Sequence, residues 1–112
     1  MGYYTNYNLK IKENKSNLPD MIVEIMLLDA LKKNQVIGYA LDENFERCDS
    51  AKWYDHETEL KEISIQIENV LFELHGEGEE TMDQWYKYFE NGKMQHCQAI
   101  VTYEPYDEQK LK

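Results

Sequence analysis

The dipeptide Asn91-Gly92 constrains this chain more than any other pair of residues in it. A two-residue hairpin loop needs positive φ at both central positions, and Asn-Gly supplies it at low steric cost. Strand-like runs flank it, Gln84 to Glu90 before and Lys93 to Tyr103 after. Two further segments alternate with period two. Tyr3, Thr5, Tyr7, Leu9 and Ile11 occupy the odd positions of the first, against Tyr4, Asn6, Asn8, Lys10 and Lys12. Val70, Phe72 and Leu74 alternate with Leu71, Glu73 and His75 in the second. Each alternation predicts a strand with one buried face.

Two helices are expected between these strands. The first follows Asn17, a capping residue, with Pro19 in its opening turn, Asp20 at the positive dipole end and Lys32 and Lys33 at the negative end. Its apolar residues run around almost the whole circumference, where a surface helix would leave a broad polar face. Two readings stay open: burial in the chain's own core, or a stripe of Val23, Leu27 and Leu31 covered by a second copy or a partner. The second helix starts at Asp55 as cap, has an acidic first turn and buries Leu60, Ile63 and Ile67; Asn69 is its exit residue. Val36 to Leu41 reads as a short strand, with Ala51 to Tyr54 pairing back on it. The order β-α-β-(β)-α-β-β-β predicts an α+β fold: a ferredoxin-like antiparallel sheet, two helices on one face and a C-terminal hairpin. One domain over residues 1–112 is expected, with the polar tail 104–112 fraying.

The net charge of −10 is unevenly placed. Residues 1–41 sum to +1 and 81–112 to −1, so Asp42 to Glu80 holds the whole excess. Direct binding to nucleic-acid phosphates is disfavoured, because that affinity rests on neutralisation by cations. No apolar run is long enough for a membrane span, and no signal peptide is read at the start. Cys48 and Cys97 lack CxxC spacing and read as free thiols of a reducing cytoplasm, with Cys97 packed in the core.

Several constellations fall short of a chemistry. The loop Gly76-Glu77-Gly78-Glu79-Glu80 has glycines but no Walker lysine, and its carboxylates repel phosphate. His56, His75 and His96 sit at no metal-ligand spacing, so neither metal nor cofactor is expected. His96 and Cys97, as strand neighbours, point to opposite faces, so their adjacency counts against direct pairing as base and nucleophile. Trp85-Tyr86-Lys87-Tyr88-Phe89 places aromatic rings on both faces of one strand. Whichever face is outward is a contact surface for protein, since aromatic side chains dominate binding hot spots.

Gly2-Tyr3-Tyr4-Thr5, Lys52-Trp53-Tyr54-Asp55-His56-Glu57, Leu71 to Glu80, Asp83-Gln84-Trp85 and Tyr88 to Lys93 together resemble a family of small bacteriophage and mobile-element proteins. The likeness spans most of residues 2–95; the first helix and the tail depart from it. It implies no site residue. It does imply a context, a bacterial cytoplasm in which small phage-type proteins inhibit host defence or replication by binding, as anti-CRISPR proteins do.

The expectation is a non-enzymatic acidic inhibitor docking on the basic, nucleic-acid-binding surface of a host protein. Glu77, Glu79, Glu80, Asp55 and Glu57 would supply the charge, and Trp85, Tyr86 and Tyr88 the anchors. The alternative is a nucleotide-like ligand pocket, in a homodimer, built from aromatics with His75 and His96, used to sequester or turn over its ligand.

Overall fold

The computed structural model describes residues 5–46, 53, 55–78, 84–99 and 106–111. Strand β1 (Asn6–Asn14) leads to helix α1 (Asp20–Lys33) and helix α2 (His56–Gln66). Strands β2 (Val70–Glu77), β3 (Gln84–Glu90) and β4 (Lys93–Gln98) follow, with a short 3-10 turn at Glu108–Lys110 in an exposed tail. The four strands form one antiparallel sheet in the order β1-β2-β3-β4. The α+β class, the antiparallel sheet and the C-terminal hairpin are therefore as expected. The ferredoxin-like order is not what is observed: among the described residues the elements run β-α-α-β-β-β and every sheet neighbour is the next strand in sequence.

That difference has a local cause in the segment Val36–Leu41. Gln35 has φ 61° and Gly38 φ 88°, which turn the chain out of an extended path. Tyr39 and Ala40 N–H groups donate back to Val36 O at 3.1 and 3.0 Å, and Gly38 N–H donates to Leu41 O at 2.8 Å. The apolar run is thus spent on burying Val36, Ala40 and Leu41 from a compact turn. Of its expected partner strand, only Trp53 is among the described residues.

Alternation along the strands separates the sheet into two unlike faces. Tyr7, Leu9, Phe72, Leu74 and Phe89 point into the core, where α1 and α2 lay their buried stripes. In α1 that stripe is Val23, Leu27, Ala30 and Leu31. Val23, Leu27 and Leu31 are thus withdrawn from any surface, which corrects their reading as a dimer or partner stripe: this chain's own core buries them. The bare apolar side of α1 is the opposite one, with Met21 70% and Ile25 58% exposed. In α2 the buried residues are Leu60, Ile63 and Ser64, and the next residue after the helix, Ile67, joins them. Each such aliphatic or aromatic side chain contributes roughly 1.5–3 kcal/mol by leaving water.

The helix ends depart from expectation in detail. Pro19, rather than Asn17, is the residue before α1, and its carbonyl accepts from Ile22 and Val23 N–H at 3.0 and 3.1 Å. Asp55 precedes α2, but its side chain makes no cap hydrogen bond. Beyond α2, Asn69 has φ 61° and its N–H donates to Asn91 Oδ1 at 2.8 Å, so the helix exit is tied to the hairpin tip. Asn91 and Gly92 have φ 50° and 82°, as the dipeptide predicted. Gly92 N–H donates to buried Ser64 Oγ at 2.8 Å, pinning the hairpin to α2.

Candidate functional site

The residues singled out in the sequence do not converge. They divide between the two sides of the sheet, because neighbours on a strand face opposite ways. Trp85 points to the helix side with Lys87, while Tyr86 and Tyr88 lie on the uncovered face. Glu77 ends β2 on the parity of Glu73 and His75, Glu57 lies in the first turn of α2 and Asp55 immediately precedes it. Glu79 and Glu80 lie outside the described residues. The single surface expected from acidic middle and aromatic hairpin is therefore two surfaces.

On the helix side, Lys87 is the organising residue. It sits mid-strand in β3, nearly buried, a place a lysine occupies only with partners for its charge. Its Nζ lies 2.8 Å from Glu57 Oε2 and 2.7 Å from His56 Nε2, and 4.3 Å from the centre of the Trp85 ring. An ammonium can only donate, so His56 Nε2 accepts. His56 Nδ1, 2.7 Å from Trp53 O, then carries the proton and donates. The imidazole is neutral by this count. Burial, acting with the Lys87 charge and against the Trp53 carbonyl, pushes its pKa below the usual histidine value. The Lys87 hydrogen bond holds the Glu57 carboxyl below its usual range.

Aromatic rings wall this group. His56 stacks on Trp85 with centroids 5.2 Å apart, and Tyr7 meets Trp53 and Trp85 edge-on at 5.3 and 6.1 Å. Trp53 Nε1 donates to Glu59 Oε2 at 2.9 Å. The indole of Trp85 lies across Gly76 of β2 so closely that a Cβ there would meet its Cζ2 at 2.2 Å. Gly76, read in sequence as part of a loop, is thus a strand residue whose missing side chain makes room for a ring.

The uncovered face carries different chemistry. Glu73, a buried carboxylate, is bonded by Lys10 and Lys12, each at 3.3 Å. Burial alone would raise its pKa, but those lysines and the Tyr88 hydroxyl outweigh it and hold the carboxyl low. The Tyr88 hydroxyl is pushed up, first by burial and then by Glu73. Tyr86 lies between His75, 4.5 Å away, and Tyr88, 6.4 Å away, with the three rings close to parallel. Cys97 pairs across from Tyr86 and is half-buried on this face, not in the core as expected; His96, across from Lys87, faces the helix side. His75 and His96 therefore stand on opposite sides of the sheet, and a single copy of the chain does not bring them into one pocket. Cys48 lies outside the described residues.

Among the described residues, no three His, Cys, Asp or Glu side chains gather as ligands for a metal ion, and no helix is long and apolar enough to cross a membrane. No protein-family model, curated protein or solved structure matches the chain.

The distribution of matched and unmatched acids was not visible in the sequence. Glu57, Glu73 and Glu90 each have a lysine, in Lys87, in Lys10 with Lys12, and in Lys15. Asp55, Glu59 and Glu62 fall at i, i+4 and i+7 along one flank of α2, and none has an ion-pair partner among the described residues. Their spacing is the signal that sequence reasoning passed over. The Glu77–Glu80 run stood out only because its acids are consecutive.

Proposed function

We propose that this protein is a non-enzymatic binding module that presents the acidic flank of α2 to a basic, nucleic-acid-binding surface of a host protein. The biological setting we infer is a phage-type inhibitor of a host defence or replication protein in the bacterial cytoplasm. One observation carries the reading: the carboxylates Asp55, Glu59 and Glu62, without an ion-pair partner among the described residues, share one flank of a helix, while Glu73 and Glu90 on the uncovered sheet face are matched by lysines. Like charges kept together in this way raise the energy of the free protein, and a cationic partner relieves the repulsion. Beside the flank, Asp55 and Glu59 also border a cleft of about 410 Å³ with Tyr39 and Trp53, suited to the long side chain of a basic residue.

Steered association of this kind has a signature: the on-rate falls as salt rises. The test is affinity capture from a bacterial host lysate with the natural protein and with D55K/E59K/E62K, followed by mass spectrometry. A nucleic-acid-binding protein retained by the natural chain, released by its own nucleic acid and lost with the triple reversal, is the expected result. Equal capture by both proteins would remove the acidic flank from the function.

A further inference from the structure

The uncovered sheet face holds a feature that acidic docking does not use. The loop after α1 folds back on itself: Asp42 Oδ1 accepts from Asn44 and Glu46 N–H at 2.8 and 3.1 Å, and Asp42 N–H donates to Glu46 O at 2.8 Å. Phe45 is held there at φ 64°, a costly conformation for a bulky residue, and its carbonyl accepts from Leu9 N–H at 2.8 Å on the β1 edge. The loop so fixed closes one side of a cleft of about 350 Å³ whose other lining includes Asn8, Lys10, Glu73, His75 and Tyr86.

We infer that this cleft is a binding site for a neutral purine nucleoside, whose base continues the stack of His75, Tyr86 and Tyr88. The stack is a set of near-parallel rings already in place. Lys12 lies over the Tyr88 ring at 5.8 Å, whereas among the described residues His75 has no ring partner besides Tyr86. A base added to it gains stacking without reorganising the sheet. A saccharide has no π-face with which to do so.

Polar groups fit the edges of such a ligand. Asn44 brings an amide that can both donate and accept, and the Glu46 carboxylate accepts from an exocyclic amine. Glu73 is buried in the cleft wall and held there by Lys10 and Lys12, a fixed anchor of the kind ligand sites are built on. Of the charged residues lining the cleft, Lys10 stands against Glu46 and Glu73, and Lys12, paired to Glu73 from outside the lining, brings the sum to zero. A phosphate therefore gains little there, which selects nucleoside over nucleotide.

The experiment is a titration of the isotope-labelled full chain with adenosine, AMP and glucose, followed by two-dimensional amide NMR. Adenosine is expected to move the Asn8, Asn44, His75 and Tyr86 signals saturably, AMP to bind within about threefold of it, and glucose to do nothing. His75→Ala should weaken adenosine about five- to a hundredfold, the range that loss of one base–aromatic stack produces, and Tyr86→Ala, which removes the ring that holds His75, should weaken it by less. Tyr106→Ala removes a tyrosine that is 77% exposed elsewhere and should leave binding unchanged. Phe45→Gly keeps the loop, since glycine accepts its φ, but opens the cleft and should also weaken binding. Shifts that do not saturate, indifference to Tyr86→Ala and His75→Ala in folded protein, equal loss with Tyr106→Ala, or AMP more than about tenfold tighter than adenosine would each overturn the assignment. None of these results bears on the acidic flank, which lies on the other side of the sheet.

Discussion

Replacing Gly76 with alanine tests the helix-side cluster through a single methyl group. The added Cβ would lie 2.2, 2.3 and 2.6 Å from three atoms of the Trp85 indole. Ordinary contact begins near 3.4 Å, so ring or strand has to shift by more than about 1 Å. Neither moves freely. The indole is held by the His56 stack at 5.2 Å and the Lys87 ammonium at 4.3 Å, and Gly76 is paired to Tyr7 and to Trp85 across the sheet. Overpacking of this kind costs about 1–3 kcal/mol, and displacing the indole forfeits about 0.5–2 kcal/mol of cation–π attraction. Together they give a loss of about 1.5–5 kcal/mol. Urea unfolding followed by far-ultraviolet circular dichroism measures it; with m of about 2 kcal/mol/M, the midpoint should fall by about 0.8–2.5 M. Gly38→Ala is the control. Unlike Gly76 it lies at positive φ, but in open space, so it should lose only about 1–2 kcal/mol of backbone strain and leave tryptophan emission unchanged. A Gly76→Ala protein within about 0.5 kcal/mol of the natural one would refute the packing described for Trp85.

Four other substitutions probe neighbouring claims. Burial lowers the His56 pKa, so the unfolded chain takes up the proton first; the stability that the neutral ring provides is complete above about pH 6.5 and is lost as pH falls through the folded pKa. His56→Gln keeps an acceptor for Lys87 and should flatten that slope between about pH 7 and 5 in urea titrations, while the Glu57 and Glu73 losses, which begin below about pH 4.5, persist. Lys87→Met keeps the packed stem but removes the ammonium and leaves His56 Nε2 without its donor, a loss of about 1–3 kcal/mol by thermal or urea melts. Leu27→Ala should cost about 2–5 kcal/mol and Ile25→Ala less than about 0.5 kcal/mol, because one points into the core and the other into solvent; equal costs would mean that α1 is rotated.

Much of the scaffold is legible because it depends on local rules. Asn91-Gly92 specifies its turn through φ alone, and the alternation of Tyr7 and Leu9 or of Phe72 and Leu74 reports a buried face directly. Val36–Leu41 misled because an apolar run records burial, not conformation, and the positive φ of Gln35 leaves no mark in the sequence. The dense apolar pattern of α1 was also ambiguous. Its inward stripe is ordinary core, and the residues left over, Met21 and Ile25, are the exposed ones. The candidate sites were harder still, since a charge map along the chain cannot say which carboxylates meet lysines. Glu73 stands in the acidic segment yet is neutralised by Lys10 and Lys12, more than sixty positions earlier, through the β1–β2 register. Likewise the Lys87–His56 contact spans thirty-one positions and follows only from α2 packing on β3.

The central claim is that the host protein is bound through the acidic flank of α2 and not through the uncovered aromatic face. Surface plasmon resonance against the captured partner decides it, comparing D55K/E59K/E62K with Y86A/Y88A across a salt series. The account predicts that the charge reversal abolishes binding, that the natural protein's on-rate drops steeply with salt, and that the tyrosine variant binds as the natural protein does. Loss of binding in Y86A/Y88A, with the charge-reversed protein unaffected and no dependence on salt, would contradict it.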